Sequence, residues 1–246
     1  MRDDNNDDNK KLNLRRIQSF VRRDGRLTDA QNNAWMTLWS EYGLELKNAF
    51  IDYSAIFGRV APRIIEIGFG SGHSLLAAAM AYPDKDFIGI ETHRPGIGTL
   101  LLNIKAQHLS NIRLYYADAV DILTKCIPDN SLTMVQIFFP DPWHKRRHHK
   151  RRLIQSNFVN LLADKLQCGG ELHLATDWQD YAKQMMNVLS NTTALINAVG
   201  VGSFSDRSCQ RPVMTKFEQR GQRAGHAIWE LRFIKKENMM NPPISL

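Results

Sequence analysis

The sequence predicts an α/β fold, a doubly wound, mainly parallel sheet with an antiparallel edge pair. Three observations predict it: short apolar runs alternate with helical segments from Arg63 onward, a glycine-rich turn follows the first run, and an acid stands at or just beyond the carboxyl end of every run. Ile64 to Ile67, Phe87 to Ile90, Ile112 to Tyr116, Leu132 to Phe139 and Glu171 to Ala175 read as strands. Between and after them, Leu75 to Met80, Ile97 to Leu109, Val120 to Ile127, Leu153 to Leu166 and Tyr181 to Leu189 read as helices. Strand, helix, strand, repeated, calls for right-handed crossovers and a parallel sheet covered on both faces. Ala194 to Val201 and Ala227 to Ile234 read as two further strands without a helix between them, which pair antiparallel at the sheet edge. The expected organisation is a disordered acidic leader over 1–11, an N-terminal appendage over 12–60 packing on the core, one domain over 61–238 and a tail over 239–246.

Composition narrows the function classes. The 246 residues are 43% hydrophobic and 23% charged, ordinary figures for a globular protein. The longest mostly apolar stretch, Leu75 to Tyr82, is far short of the roughly 20 residues of a membrane span. Neither a membrane helix nor a secretory signal is expected. Cys126, Cys168 and Cys209 stand far apart, which suits neither a metal site nor a disulfide framework and points to a reducing, cytoplasmic setting. The net charge of +7 and the pI near 9.4 favour an anionic partner. The cations are grouped: Arg15, Arg16, Arg22, Arg23 and Arg26; Lys145, Arg146, Arg147, Lys150, Arg151 and Arg152; Arg207, Arg211, Lys216, Arg220 and Arg223. Each group alone suits a solvated face, but three groups without a membrane-type amphipathic helix favour a polyanion.

Ligands in doubly wound folds bind beyond the carboxyl ends of the strands. Glu66-Ile-Gly68-Phe-Gly70-Ser-Gly72 overlaps and follows the first strand, Glu91 the second, Asp118 the third, Pro140-Asp141-Pro142-Trp143 the fourth and Thr176-Asp177 the fifth. A glycine-rich turn lets backbone approach a ligand, though glycines also serve tight turns alone. A nicotinamide dinucleotide fingerprint wants a third glycine where His73 stands. Glu91 is placed to accept ribose hydroxyls, a device that dinucleotide and adenosylmethionine sites share. Asp118, next to that pocket, suits the exocyclic amine of an adenine.

Together, Glu66-Ile-Gly-Phe-Gly-Ser-Gly-His, the acids Glu91 and Asp118, Phe-Phe-Pro-Asp141-Pro-Trp-His-Lys145 and Thr215-Lys-Phe-Glu-Gln-Arg-Gly221 resemble the bacterial tRNA (guanine-N7-)-methyltransferase family. The resemblance covers about residues 15–236. It implies a Rossmann-like methyltransferase domain using S-adenosyl-L-methionine, with tRNA as partner and guanosine 46 of the variable loop as target. It further implies that Glu66, Gly68, Gly70, Gly72, Glu91, Asp118 and Asp141 line the cofactor site and that Asp141 is catalytic. Lys145, Asp177, Thr215, Lys216, Phe217 and Glu218 are the implied substrate contacts. No metal is expected, and the chain is read as a monomer or a homodimer.

The residues themselves add chemical sense. N7 of guanine has a lone pair and no proton, so it needs positioning and negative potential rather than a strong base, and Asp141 between two prolines can supply both. The six cations from Lys145 to Arg152 follow that turn directly and suit phosphate contacts by Arg146, Arg147, Lys150, Arg151 and Arg152. His148 and His149, as neighbours without local cysteines or acids, suit a metal poorly. Lys216-Phe217-Glu218 offers an aromatic face and a carboxylate to an unstacked base. Two alternatives remain: an exocyclic-amine nucleic-acid methyltransferase, whose four-residue motif Pro140 to Trp143 resembles in part, and a non-catalytic RNA-binding module.

Overall fold

The computed structural model describes residues 25–223, 225 and 227–237; the leader, Arg15, Arg16, Arg22, Arg23 and the tail lie outside the described residues. Eight described strands form one sheet: β1 (Gly43–Leu44), β2 (Arg63–Ile67), β3 (Asp86–Glu91), β4 (Ile112–Tyr116), β5 (Leu132–Phe138), β6 (Leu166–Thr176), β7 (Leu195–Asn197) and β8 (Trp229–Lys235). Their order is β1-β4-β3-β2-β5-β6-β8-β7. Every pair from β1 to β6 is parallel, and β8 pairs antiparallel with both β6 and β7. This is the doubly wound, mainly parallel sheet with its antiparallel edge pair.

Alternation along the strands sorts side chains to two faces. Ile64, Phe87, Ile112 and Leu114 pack with helices α1 (Asp29–Tyr42), α3 (His73–Ala81) and α4 (Arg94–Ala106) on one face. Ile65, Ile67, Ile88, Ile90, Val135 and Ile137 pack with α5 (Ala119–Lys125), α6 (Ser156–Lys165) and α7 (Gln179–Ser190) on the other. Each such side chain taken from water stabilises the fold by about 1.5 to 3 kcal/mol.

Several elements differ in extent or presence from the sequence reading. Helix α6 starts at Ser156 rather than Leu153, because Arg152 is in an extended conformation and the Ile154 N–H donates to the Tyr181 hydroxyl at 3.1 Å. Strand β6 reaches back to Leu166, which pairs with Leu132 across a register shift. Strand β7 ends at Asn197, short of Val201, where Gly200 and Gly202 take positive φ. A helix, α8 (Lys216–Arg223), stands between β7 and β8 where none was expected. Before the main sheet, α1 packs on α4, β1 adds an edge strand beside β4, and α2 (Tyr53–Phe57) leads into β2. Thr28 caps α1 through a reciprocal pair of hydrogen bonds with Gln31.

Candidate active site

Strands β2 and β5 lie side by side, with Ile67 opposite Ile137, and the chain leaves their carboxyl ends towards opposite edges of the sheet. The turns after them therefore diverge, opening the crevice where such sheets bind ligands. In the first turn Gly68, Gly70 and Gly72 have φ of 73°, 58° and 76°. Those conformations cost other residues on the order of 1 to 2 kcal/mol. A Cβ added at Gly68 or Gly70 would meet nothing within 4 Å, whereas at Gly72 it would strike the Leu100 side chain at 2.7 Å. Two glycines thus present bare backbone to open space, and the third admits close packing of α4.

The acids at the carboxyl ends of β2, β3 and β4 are held in three different ways. Glu91 accepts from the Gly70 N–H at 2.7 Å through one oxygen, and from the Thr92 and His93 N–H groups at 2.6 and 2.9 Å through the other. The carboxylate after β3 thereby ties down the glycine turn. Asp118 caps α5, accepting from the Val120 N–H at 2.9 Å, and its second oxygen is left for other partners. Glu66 is buried, and its Oε2 has no hydrogen-bond partner among the described residues. Burial pushes its carboxyl up to about 8, against the pull of the Arg211 charge and with a further push from Glu91. A buried carboxyl with an unmatched oxygen beside a bare backbone turn is a ready place for a donor group of a ligand.

The turn after β5 is strained on both sides of Asp141. Phe139 has φ of 53° and Trp143 φ of 46°, left-handed values that a bulky aromatic residue adopts only under constraint. The sequence reading continued the strand through Phe139; the structure ends it at Phe138, because the Phe139 backbone turns there while its N–H donates to the Ala175 carbonyl at 2.8 Å. Asp141 is exposed at the tip, between the two prolines. His144 meets Trp178 edge-on, ring centres 4.2 Å apart, so the turn after β5 touches the turn after β6 that carries Asp177.

The basic run continues as a 3-10 helix, Arg146–Arg151, on which Arg146, Arg147, Lys150 and Arg151 are exposed, as is Lys145 before it. The His148 imidazole is held below its usual value by desolvation and then by the charges of Arg147, Arg151, Lys145 and Lys150. Arg152 departs from the reading that groups it with them. Its side chain is 1% exposed, with Nε donating to the Pro142 carbonyl at 2.8 Å and the terminal nitrogens donating to Gln184 and Asp180, each at 2.6 Å. Its guanidinium also lies over the Tyr181 ring. Arg152 is built into the protein and presents no free donor fork to a phosphate.

Glu218 likewise departs from its expected role. Thr215 and Glu218 form a capping box at the start of α8: the Glu218 N–H donates to the Thr215 hydroxyl at 3.0 Å, and the Thr215 N–H to the Glu218 carboxylate at 3.3 Å. The same carboxylate, 1% exposed, pairs with Arg207 at 2.8 Å and with Arg211. It has no surface to offer a base. Arg211 also pairs with Glu230, which accepts from His173 at 2.8 Å and from the Ser208 N–H at 3.1 Å. Burial alone would raise the Glu230 carboxyl, but the His173 hydrogen bond and the Arg211 charge hold it below its ordinary value. The Arg211 guanidinium lies 4.7 Å from the Phe138 ring centre and 5.7 Å from that of Phe139. Helix α8 in turn abuts Asp177, whose Oδ2 would sit 3.1 Å from a Cβ at Gly221. The side chains of Lys216 and Phe217 lie outside the described residues. Glu230, His173, Asp180 and Gln184 were absent from the sequence reading of the site, and Arg211 stood there only in the third group of cations facing a polyanion, whereas it is buried between Glu218 and Glu230; Thr-x-x-Glu is the one local signal of part of this arrangement, as a helix start.

Comparison with known proteins fits this geometry. The model of a family described as "Putative methyltransferase" matches residues 60–231. A tRNA (guanine-N(7)-)-methyltransferase of Alcanivorax borkumensis is 54% identical over 223 residues, 91% of this chain and 93% of its own length. The proteins of the same name from Hydrogenovibrio crunogenus and Pseudomonas aeruginosa are 51% and 50% identical, over 89% of this chain and 91% and 90% of theirs. Among solved structures, the 16S rRNA methyltransferase KamB shares the fold, with a TM-score of 0.56 at 10% identity over 76% of this chain and 95% of its own. The aminoglycoside resistance methyltransferase NpmB1 does so at 0.51 and 16%, over 74% of this chain and 91% of its own. The chain belongs to the tRNA (guanine-N7-)-methyltransferase family.

Proposed function

We propose that this enzyme transfers the methyl group of S-adenosyl-L-methionine to N7 of guanosine 46 in the variable loop of tRNA. The observation that carries the reading is the exposed Asp141 on a doubly strained turn, one strand from the bare backbone of Gly68 and Gly70. Curated relatives at about 50% identity carry the name of this activity, which supports the same reaction class here.

The cofactor supplies an electrophilic sulfonium methyl group. Gly68 and Gly70 leave room for a backbone-side approach and Gly72 keeps α4 close; Glu91 and Asp118 would accept from ribose hydroxyls and the adenine amine, and the unmatched Oε2 of Glu66 would take a further donor of the cofactor. Guanine N7 attacks with its own lone pair, so no residue has to remove a proton. Positive charge grows on the purine as the methyl moves, and Asp141 counters it while orienting the base. Lys145, Asp177 and Thr215 are the substrate contacts of this reading, supported by the approach of α8 to Asp177 at Gly221 and by the exposure of Lys145. Arg146, Arg147, Lys150 and Arg151 are exposed beside it and suit phosphates, which position an RNA without reading it. The core over 61–238 is the catalytic domain in this reading, and α1 and β1 of the N-terminal appendage lie against α4 and β4 of it. Three free cysteines and the lack, among described residues, of any helix long and apolar enough to cross a membrane are compatible with a cytoplasmic enzyme.

The test is incubation with unmodified tRNA and labelled adenosylmethionine, followed by chain cleavage at 7-methylguanosine. A single cleavage in the variable loop at position 46 is expected. Label resistant to that cleavage and recovered on an exocyclic amine would overturn the N7 assignment in favour of the amine-methylating alternative.

A further inference from the structure

Among the described residues two arginines are fully buried, and both touch the Asp141 turn. Arg152 reaches it from the far side of the basic run, its Nε on the Pro142 carbonyl at 2.8 Å, next to the left-handed Trp143. It is anchored behind by Asp180 and Gln184 at 2.6 Å each and lies on Tyr181, all from α7. Arg211 reaches the opposite shoulder, its guanidinium over Phe138 and the left-handed Phe139, anchored behind by Glu218 and Glu230. Composition would count both among the charges that meet RNA.

We propose that Arg152 and Arg211 are positioning residues that clamp the two strained shoulders of the Phe139–Trp143 turn and so hold Asp141 at its working place, and that neither contacts tRNA. Two left-handed aromatic residues do not persist without outside constraint. Each shoulder has one buried cation against it, and each cation is fixed by two acceptors on elements that do not belong to the turn. A guanidinium suits this task because its planar fork serves several acceptors in set directions while its face rests on a ring. Lysine keeps the charge and loses the fork. At Arg152 an ammonium cannot serve the Pro142 carbonyl, Gln184 and Asp180 together, and at Arg211 it cannot bridge two carboxylates and still cover Phe139.

The inference rests on the proposed methyl transfer, and the experiment separates the two. Arg152→Lys, Arg152→Gln, Arg211→Lys and the exposed comparator Arg146→Gln are measured for single-turnover methylation with cofactor and tRNA saturating, for the salt dependence of tRNA affinity, and for thermal unfolding. If the native enzyme does not methylate N7, the functional reading falls, whatever the variants do. If it does, Arg152→Lys and Arg211→Lys are expected to lose about 10- to 100-fold in saturated rate, the scale of a small misplacement. Their salt slopes and that of Arg152→Gln stay native, while Arg146→Gln lowers the slope by about 0.7 to 0.9, one phosphate contact. Lysine variants that keep the native rate, or a slope lowered by one contact in Arg152→Gln, would overturn the inference. Should the direct variants unfold, Asp180→Asn loosens Arg152 from an exposed position, and a native saturated rate in it would equally overturn the assignment at that shoulder.

Discussion

The backbone N–H of Gly70 donates to the Glu91 carboxylate at 2.7 Å, so the turn after β2 and the acid after β3 form one unit. Glu91→Ala therefore removes an acceptor for the ribose and releases the turn that faces it. Asp118→Ala removes only an acceptor and a helix cap. Each lost buried hydrogen bond is worth about 1 to 3 kcal/mol, so calorimetry is expected to show adenosylmethionine binding weakened by about 5- to 150-fold, more in Glu91→Ala. Equal, native affinity in both variants would show that the pocket lies elsewhere.

Glu66 is expected to be protonated in the cofactor-free enzyme at neutral pH. Its folded value of about 8 lies above the 4.5 of an exposed glutamate, chiefly through burial. Between those values the folded chain holds a proton that the unfolded chain has lost, so this group makes stability fall with rising pH, by up to about 1.4 kcal/mol per unit. Urea unfolding at pH 5, 6 and 7 should show that slope in the native protein and lose it in Glu66→Gln. Binding of the cationic cofactor at pH 7 should also release protons, read by calorimetry in buffers of different ionisation enthalpy. Equal slopes in the two proteins would mean that Glu66 is already ionised.

Breaking the buried pairs of Glu218 is expected to cost stability before it costs chemistry. Glu218→Gln leaves Arg211 with one carboxylate and Arg207 with none, and removing one partner of a buried pair costs about 3 to 5 kcal/mol. For a chain of this size that lowers Tm by roughly 6 to 20 °C. Thr215→Ala removes only the cap, about 1 kcal/mol. A Glu218→Gln protein that melts like the native one but fails to bind tRNA would return the carboxylate to the substrate.

Phosphate contact by the exposed run predicts a salt signature. Arg146, Arg147 and Arg151, replaced together by Ala, should lower the slope of log affinity for tRNA against log salt by about 2 to 3. Cofactor affinity should hold. An unaltered slope would make the 3-10 helix a solvated face.

Asp141→Asn keeps the shape of the turn and loses its charge, and saturated single-turnover methylation should fall by about 2 to 3 orders of magnitude. Imidazole should not restore it, since N7 has no proton to give up. A rate within a few-fold of native would reduce Asp141 to a turn residue.

The strand and helix alternation was legible because burial leaves apolar runs of the right period: Ile112 to Tyr116 matches β4 residue for residue, and Ile64 to Ile67 and Phe87 to Ile90 fall inside β2 and β3. The acids were legible for the same reason, since each stands at or just beyond the carboxyl end of such a run. Helix α8 was not, because Lys-Phe-Glu-Gln-Arg-Gly-Gln-Arg holds one apolar residue and so carries no apolar stripe; its local mark is the Thr215 to Glu218 spacing. Arg152 could not be told from Arg151 by composition, because what buries it is Asp180, Tyr181 and Gln184, nearly thirty or more positions further on. The left-handed turns at Phe139 and Trp143 were equally silent, since tertiary contacts impose them against local preference.

The two ends of the sheet have a bearing on how this enzyme behaves in a crowded solution. The outermost strands are β1, with two residues, and β7, with three. Long open edges offer unpaired N–H and C=O groups as a template for another chain, whereas edges this short give an incoming strand too few to register on. Beyond β1 the inner neighbour is β4, Ile-Arg-Leu-Tyr-Tyr, four of whose five residues are aliphatic or aromatic. Gly43 and Leu44 thus act as a hem over Leu114 and Tyr115: loss of the segment that carries them would leave all of β4 as an open edge and turn a protected border into a surface prone to strand-by-strand aggregation.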